Sequence, residues 1–357
     1  MSGTYLAYRV ERFGQPVKQA EEPLKKAEGK EIVLKTTRCG VCHSDLHLYD
    51  GYYDLGQDRK LSFEKRGLTP PLVLGHEIVA EVIDAGPDAD LSHIEKGKSY
   101  IVYPWIGCGE CAVCQDDREN LCAKGRNLGV AKHGGYGEVV RVPDSKYLLD
   151  FGEMNPSEAA ILACSGLTAF AALKQTPQYK ELPLVIIGQG GVGTSALLIA
   201  KALGFKNIVT VDISDEKLAT SKKLGATQTV NSKNEGALET LKGLEGGVYQ
   251  VLDFVGSGQT AQLGTGILSK GGTYIIVGLF GGDLDLILPL TALESRIIRG
   301  SFVGNLNELR ELVELAKDGK IGDIPTQDIP ASEDNVNQAL ERLRQGTADK
   351  RQVLVYN

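Results

Sequence analysis

The hydrophobic and polar positions divide the chain into two parts of different pattern. Up to residue 150, segments such as 31–37 and 78–85 are β-branched or alternate between apolar and polar residues, with glycine and proline between them. This pattern predicts a domain rich in strands and loops. After residue 155, short apolar runs alternate with stretches of helical spacing, which is typical of a doubly wound α/β domain with a parallel sheet.

The elements predicted in the second part alternate in type. The strands are expected at 184–187, 208–211, 250–254 and 274–277, and the helices at 191–203, 215–224, 234–241 and 260–268. The strands are short and predominantly apolar, as in a parallel sheet that is covered on both faces. Nearer the C-terminus, apolar residues spaced three and four apart from Leu306 to Ala316 predict an amphipathic helix. A further helix at 332–343 and a closing strand at 352–356 are expected to pack against the first domain.

Length and composition allow two domains of ordinary size. The chain has 357 residues, 42% of them hydrophobic, which can fill more than one core. We expect the α/β domain over 156–296 and a strand-rich domain assembled from 1–155 and 297–357. A strand at 296–303 would form a sheet edge that a second copy of the chain could extend across a two-fold axis.

The net charge of the chain limits the kinds of molecule that it is expected to bind. The formal net charge is −7 and no long basic run is present, so we expect neither a nucleic-acid surface nor an anionic-membrane surface. The N-terminus does not have the pattern of a secretory leader, and we expect no membrane span. These features favour a cytoplasmic protein that acts on a small molecule.

The cysteines carry the strongest chemical signal. Seven cysteines, an odd number, favour metal ligation in a reducing compartment over a disulfide framework. Four of them crowd one loop that is interrupted by glycine, and four thiolates at this spacing are typical of a tetrahedral structural zinc. These four are Cys108, Cys111, Cys114 and Cys122. A disulfide-bonded loop is the alternative.

A glycine-rich turn follows the strand at 184–187 and opens the next helix. Strand, turn and helix in this order place backbone N–H groups at the positive end of a helix dipole, where a diphosphate can bind. A tight turn without a ligand is the alternative, but the order of the elements favours a dinucleotide site. The candidate contacts are Gly188, Gly190, Gly191, Val192 and Gly193.

Asp212 ends the strand that follows this helix. It lies roughly 20 residues beyond the first glycine, where a carboxylate can accept hydrogen bonds from both ribose hydroxyls and repel a 2′-phosphate. We therefore expect NAD rather than NADP, with Lys217 able to reach the same ribose. The alternative is that Asp212 only caps the helix that begins near Asp215.

Two further segments, 39–47 and 75–77, are dense in metal-binding and proton-transfer groups. Catalytic zinc takes three protein ligands and leaves a fourth position open, and two cysteines with one histidine are a standard set. Cys42, His76 and Cys164 supply that set. Taken alone, Cys164 is equally typical of a small core residue.

In their order along the chain, these motifs resemble those of the zinc-dependent medium-chain alcohol dehydrogenases. The matching segments are 40–45, 75–77, the four-cysteine loop and the glycine-rich turn, and the similarity spans essentially the whole chain. Segments 50–56 and 103–111 most resemble the 6-hydroxyhexanoate dehydrogenase-like subgroup. The resemblance implies a GroES-like catalytic domain beside a Rossmann domain, with NAD and two zinc ions per chain.

The resemblance also assigns roles around the second zinc. The metal ligands would be Cys42, His76 and Cys164. Glu77 would approach the metal during ligand exchange, and Asp45 would orient His76 through its free ring nitrogen. Cys39 matches no ligand position and is expected to be a packed thiol.

The proton path and the remaining cofactor contacts follow from the same resemblance. Ser44 and His47 would carry the alcohol proton to solvent. His43 and Arg351 would face the cofactor diphosphate, and Val277 would also contact the cofactor.

Aromatic residues flank the metal motifs. Tyr53 and Trp105 would provide an apolar wall, which suits a medium-length or cyclic alcohol better than a sugar with many hydrogen-bonding groups. The same rings could equally belong to the core. The charged segment 54–69 is longer than in compact family members and predicts a solvated surface loop, or else a flap over the substrate channel or a subunit contact.

The expected reaction is reversible NAD-dependent oxidation of medium-chain primary alcohols, including ω-hydroxy acids such as 6-hydroxyhexanoate, to aldehydes. Secondary or cyclic alcohols on the same scaffold are one alternative. A zinc protein that senses a nucleotide without catalysis is another. The resemblance further implies a homodimer or homotetramer.

Overall fold

The computed structural model describes residues 3–356. The strands of its N-terminal part are β1 (Gly3–Val10), β2 (Lys18–Leu24), β3 (Ile32–Gly40), β4 (Tyr52–Gly56), β5 (Arg59–Ser62), β6 (Leu72–Val73), β7 (Glu77–Ala85), β8 (Ser99–Val102), β9 (Val139–Val142) and β10 (Leu148–Leu149). The later strands are β11 (Leu184–Ile187), β12 (Ile208–Asp212), β13 (Gln228–Asn231), β14 (Gln250–Asp253), β15 (Thr273–Ile276), β16 (Ile297–Gly300), β17 (Thr326–Pro330) and β18 (Arg351–Val355).

Helices occur in both parts of the chain. They are α1 (His43–Asp50), α2 (Ala112–Gln115), α3 (Pro156–Ile161), α4 (Leu167–Lys174), α5 (Gly191–Ala202), α6 (Asp215–Leu224), α7 (Ala237–Lys242), α8 (Gly258–Gly266), α9 (Leu288–Leu293), α10 (Leu306–Lys317) and α11 (Glu333–Gln345). A π-helical turn, Leu162–Gly166, joins α3 to α4.

The second part of the chain forms a six-stranded parallel sheet in the order β13-β12-β11-β14-β15-β16, as predicted for a Rossmann fold. The predicted boundary at residue 297 needs correction, because β16 begins there and pairs in parallel with β15. The dinucleotide domain therefore includes one more strand. Strand β13 was not predicted, because its sequence QTVN has one buried apolar side chain and so lacks an apolar run.

The other large sheet has the order β10-β8-β7-β3-β18-β17, with β9 also paired to β3. Strand β18 comes from the C-terminus and pairs antiparallel with β3. The chain thus leaves this sheet, forms the parallel sheet and returns to the first sheet. Helix α10 buries Leu306, Leu309, Leu312 and Val313, as the spacing predicted, and α11 buries Val336, Ala339 and Leu340.

One helical stretch modifies the expectation of no apolar segment of membrane-spanning length. Together, α3, the π-helical turn and α4 cover 19 residues, Pro156–Lys174, with a mean hydropathy of 1.3 in the most apolar window. However, 89% of that window is buried inside the protein. The sequence is apolar all round because the helix lies between the two domains, where α3 contacts β3 and β7 and α4 contacts α5.

The segment 54–69 is an ordered hairpin rather than an irregular loop. Strands β4 and β5 pair antiparallel, with Tyr53 opposite Leu61. The tip residues Gln57 and Asp58 adopt positive φ angles, which close the turn. The tip of the hairpin contacts the dinucleotide domain, as described below.

Candidate active site

The first zinc-type ligand lies where β3 ends and α1 begins. Cys42 is the N-cap of α1, and its backbone N–H donates to Asp45 Oδ2 at 2.9 Å. This reciprocal cap fixes the side chains of the first helical turn. Asp45 also accepts a hydrogen bond from the Tyr136 hydroxyl at 3.0 Å, and both residues are fully buried. Tyr136 is a part of the site that the sequence did not reveal.

His76 is aimed by Asp45, as the resemblance implied. Asp45 Oδ1 lies 3.3 Å from His76 Nδ1 and also accepts a hydrogen bond from the Gly75 backbone at 3.3 Å. Gly75 has φ +90°, a conformation that favours glycine, and it turns the chain into β7 immediately after His76. The other imidazole nitrogen, Nε2, therefore points at the two buried sulfurs.

Cys164 reaches the same point from the π-helical turn. An extra residue in a helical turn redirects side chains locally, and such turns occur often at functional sites. The Cys42 and Cys164 sulfurs are 3.9 Å apart, and the ligand atoms of Cys42, His76 and Cys164 all lie within 4.8 Å of one another. Three residues distant in sequence thus converge as predicted.

This cluster fits a zinc ion. Two thiolates at tetrahedral angles on one zinc would be about 3.8 Å apart, close to the sulfur–sulfur distance observed. Among the described residues, neither ring nitrogen of the buried His76 has a hydrogen-bond partner: Nδ1 lies 3.3 Å from Asp45 as an ion-pair contact, and a metal would satisfy Nε2. The hydrogen bond with Cys164 and the nearby His76 hold the pKa of Cys42 well below its ordinary value, against the effect of burial. A thiolate is the form of cysteine that binds zinc.

Glu77 and Arg351 form a buried pair beside the cluster. Arg351 donates to both carboxylate oxygens of Glu77 at 2.5 Å, and the Ser165 backbone donates to one of them at 3.2 Å. Burial raises the pKa of Glu77 to about 7, although Arg351 opposes the rise. Arg351 also packs against Gly191, where a Cβ would lie 2.6 Å from its side chain. The pair therefore links the metal cluster to the glycine-rich turn.

The four-cysteine loop forms the second cluster. The sulfur of Cys114 lies 3.9 Å from that of Cys108 and 3.5 Å from that of Cys111, and Cys111 lies 3.8 Å from Cys122. These separations match four thiolates on one zinc and are far longer than a disulfide bond of about 2.05 Å. All seven cysteines are free thiols, so the disulfide alternative is wrong.

A buried carboxylate that the sequence did not reveal anchors this loop. Glu119 accepts hydrogen bonds from the Gly107 backbone at 2.9 Å, the Tyr147 hydroxyl at 2.6 Å and the Lys146 ammonium at 2.7 Å. Burial opposes its charged form, yet Lys146 and Tyr147 lower its pKa overall.

The glycine-rich turn has the geometry of a dinucleotide cradle. Gly188 has φ +89° and makes the tight turn, and a Cβ on Gly193 would lie 1.8 Å from the Gly188 carbonyl oxygen. Glycine at these two positions is required by the fold. A Cβ on Gly190 would meet open space within 4 Å, so packing does not demand glycine there. The free face beside Gly190, at the start of α5, is where a diphosphate can approach the backbone.

Asp212 lies next to this turn. Its carboxylate accepts hydrogen bonds from the backbone of Gln189 at 2.6 Å and of Ser214 at 2.9 Å. The N-cap of α6 is Ser214, not Asp212, so the helix-cap alternative is wrong. Lys217 is exposed one turn into α6, and Val277 follows β15, with its backbone donating to the Asp253 carbonyl. Both therefore lie on the cofactor domain.

The proposed proton path lies along α1. The ring of His47 is half-buried, 6.1 Å from that of His43 and 5.0 Å from that of Tyr53. Ser44, in the first turn of α1, is partly buried. His43 is exposed toward the dinucleotide domain, where its ring lies 5.5 Å from that of Phe280. Helix α1 thus faces the cleft between the domains.

Aromatic rings surround the metal cluster. Trp105 is 3% exposed, its ring lies 5.3 Å from His76, and its indole N–H donates to the Ala163 carbonyl. Trp105 is therefore both a core residue and part of the wall around the metal cluster. Phe302 packs on Trp105 at 5.9 Å, and Phe63 packs on Tyr53 at 4.8 Å. Sequence reasoning missed both phenylalanines, because neither adjoins a motif.

Family models match both parts of the chain. Residues 28–151 match the alcohol dehydrogenase GroES-like domain, and residues 191–318 match the zinc-binding dehydrogenase domain. The chain is 35% identical to an NAD-dependent alcohol dehydrogenase of Sulfurisphaera tokodaii over 352 residues, 98% of this chain and 99% of the relative. The chain belongs to the zinc-dependent medium-chain alcohol dehydrogenases, a family of oxidoreductases.

Solved structures agree with this assignment. The alcohol dehydrogenase of Aeropyrum pernix superposes with a TM-score of 0.86 at 28% identity, covering 98% of this chain and 100% of that one. The acetophenone reductase of Geotrichum candidum, solved with NAD, gives 0.82 at 25% identity, covering 99% and 97%.

Proposed function

We propose that the protein catalyses reversible NAD-dependent oxidation of medium-chain primary alcohols, among them ω-hydroxy acids such as 6-hydroxyhexanoate, to aldehydes. The observation that carries the proposal is the cluster of Cys42, His76 and Cys164 enclosed by aromatic rings. Three protein donors leave one tetrahedral position for a substrate oxygen. The surrounding rings give the substrate chain an apolar wall.

Each residue of the cluster has a definite task. Cys42, Cys164 and His76 would hold the zinc, and Asp45 fixes the orientation of His76 through its free ring nitrogen. When bound, the zinc supplies Lewis acidity that favours the deprotonated form of an alcohol. Trp105 and its neighbours exclude water from this side of the cleft.

Two side chains of α1, Ser44 and His47, transfer the proton. Burial lowers the pKa of His47, with the neighbouring His43 adding to the effect. His47 is therefore neutral near pH 7 and free to accept a proton. Ser44, three residues before it on the helix, passes the proton outward toward His47.

The cofactor choice follows from the turn and from Asp212. Gly190 offers an unobstructed backbone to the diphosphate, and Asp212 supplies the carboxylate that binds ribose hydroxyls and repels a 2′-phosphate. The relative from Sulfurisphaera tokodaii is described as NAD-dependent. Both points favour NAD.

The proposed substrate class follows from the shape of the wall. Tyr53 and Trp105 offer apolar surface, and a polyol there would leave hydroxyl groups without partners. Burial raises the pKa of the Tyr53 hydroxyl, and the nearby positive charge of Arg66 opposes the rise. Arg66 is exposed and its charge acts on Tyr53, so it is the cation that we propose for the carboxylate of an ω-hydroxy acid.

Secondary or cyclic alcohols are the second candidate class. The observation that favours them is the structural similarity to an acetophenone reductase, whose name refers to a ketone. The same apolar wall would accept a ring.

Steady-state kinetics with hexanol, 6-hydroxyhexanoate, cyclohexanol and a polyol, each with NAD and NADP, would decide between the classes. We expect the highest kcat/KM for hexanol or 6-hydroxyhexanoate with NAD. If cyclohexanol had the highest kcat/KM, the second class of substrate would be favoured. A polyol preferred tenfold or more would exclude both.

We also propose a cytoplasmic homodimer or homotetramer. The seven free thiols suit a reducing compartment. Exposed apolar residues cluster around α9 and the edge strand β16, where a second copy could cover them. They are Leu286, Ile287, Leu288, Leu290, Leu293 and Ile297.

A further inference from the structure

The tip of the β4–β5 hairpin touches the loop that follows β15. Arg59 donates to both carboxylate oxygens of Asp283 at 2.7 Å, and the Gln57 amide donates to the same carboxylate at 2.6 Å. The Gly282 backbone N–H donates to the Leu55 carbonyl at 3.1 Å. These are contacts between a segment of the catalytic domain and a segment of the dinucleotide domain.

The two backbones meet at glycines. A Cβ on Gly56 would lie 2.8 Å from the Gly282 Cα, and a Cβ on Gly281 would lie 2.5 Å from the Asp54 carbonyl oxygen. No larger residue fits at this crossing without moving one of the backbones. The contact is therefore a fitted one between the two segments.

Each segment is held firmly within its own domain. The hairpin is anchored by strand pairing and by the Phe63 N–H, which donates to the Gly51 carbonyl at 2.9 Å. On the other side, the Gly281 N–H donates to the Gly256 carbonyl at 3.0 Å in the loop after β14. Because neither segment is loose, the contact between them couples the two domains.

The contact also lies at the cofactor crevice. The loops after β14 and β15 are at the carboxyl edge of the parallel sheet, where such sheets bind ligands. The Arg59 and Asp283 side chains are 50% and 46% exposed, so their ion pair is weak, reversible and sensitive to salt. The ion pair can therefore break at little cost in free energy.

We propose that residues 55–59 and 281–283 form an interdomain latch, with Arg59 as its positioning residue, which holds the cleft closed and slows the dissociation of the nicotinamide cofactor. This inference rests on the proposed use of NAD. The latch does not depend on which alcohol is oxidised.

The first arm of the test measures how fast the cofactor dissociates. Dissociation of NADH is followed by stopped-flow fluorescence in Arg59→Gln, Asp283→Asn, the double variant and the charge exchange Arg59→Asp with Asp283→Arg. We expect each single variant to release NADH about two- to fivefold faster at low salt. The double variant should be no faster than either single one, and the charge exchange should restore slow release. The control is Lys65→Gln, at an exposed lysine that follows β5 and is not part of the latch.

The second arm uses the protein without cofactor. Hydrogen exchange at the Gly282 amide, which donates across the latch, should speed up in Arg59→Gln. The Gly281 amide, which donates within the dinucleotide domain, should not change. Unchanged NADH release in both single variants would overturn the proposal, whatever the exchange result. Failure of the unsubstituted protein to bind NADH would contradict the proposed function instead, and it would be seen before any variants are compared.

Discussion

At the scale of single residues, Asp45 organises the zinc cluster. Its two carboxylate oxygens lie within hydrogen-bonding reach of the Cys42 backbone, the Gly75 backbone, the Tyr136 hydroxyl and the His76 ring. A buried carboxylate with this many partners is rigid, since each partner limits its rotation. The imidazole it holds is consequently aimed before any metal binds.

Removal of one sulfur should remove one metal. Cys164→Ser should lower the zinc content from about two ions per chain to about one and abolish at least ~99% of activity, because two ligands hold zinc poorly. Cys39→Ser is the matched control, since Cys39 is equally buried but belongs to neither cluster. Elemental analysis of both variants checks this. A Cys164→Ser protein that keeps both ions would contradict the assignment.

His47 should set the acid limb of alcohol oxidation. Burial lowers its pKa below the usual value of about 6.5, so the neutral acceptor form persists to more acidic pH and the rate should fall only below that value. His47→Gln should slow oxidation about tenfold or more and remove this limb. His133→Gln, at an exposed histidine that accepts a hydrogen bond from the Val73 backbone, is the control. Identical pH–rate profiles for His47→Gln and the parent would refute the role.

At the scale of elements, two irregular segments carry much of the site. The π-helical turn presents Cys164 to the cluster, and the loop from Cys108 to Cys122 contains only the short helix α2 and depends mainly on its sulfurs and on Glu119. Such a loop has little core of its own, so its order depends on the metal and on a few buried hydrogen bonds.

Glu119 should therefore matter for stability and not for chemistry. Glu119→Gln weakens charge-assisted hydrogen bonds from Lys146 and Tyr147, and we expect a melting temperature lower by about 3–6 °C at pH 7. The zinc of this loop should also pass faster to a chelator. Glu110→Gln, exposed on the same loop, should change neither quantity. Equal melting temperatures for the two variants would show that Glu119 does not anchor the loop.

At the scale of the molecule, the two domains enclose a cleft between the metal cluster and the cofactor turn. The Arg351 side chain, which pairs with Glu77 inside the catalytic domain, reaches Gly191 of the dinucleotide domain, and the hairpin latch joins the two domains at a second point. The outer edge of the parallel sheet, in contrast, leaves apolar side chains of α9 and β16 exposed. A second copy of the chain is the proposed cover for that edge.

Substitution at this edge should dissociate the oligomer. Sedimentation of the parent protein should give a mass of at least twice 38.4 kDa, and Leu293→Asp should shift it toward one chain, because a buried charge at an interface is costly. Leu91→Asp, at an exposed leucine of the catalytic domain, is the control. A parent protein that sediments as a single chain would exclude the proposed oligomer.

Spacing along the chain was enough to predict the local chemistry. The cysteine spacing identified the four-thiolate loop, and the strand, turn and helix around Gly188 identified the cofactor cradle. The alternation of apolar runs predicted the parallel sheet. These features depend on residues close together in the chain, where spacing alone decides which groups meet. The three ligands Cys42, His76 and Cys164 are far apart in sequence, and their prediction came from the donor set and the family resemblance.

Contacts between distant segments could not be predicted in this way and were seen first in the folded protein. Arg351 was expected to face the cofactor diphosphate, and the structure shows that it pairs with Glu77, because β18 returns beside β3. The β4–β5 hairpin was expected as a surface loop or flap, and its contact with Asp283 depends on how the domains pack. Strand β16 pairs with β15 in the parallel sheet, and this pairing was not predicted because the two strands are separated in sequence. Long-range pairing follows from the summed packing of many residues, and no short motif encodes it.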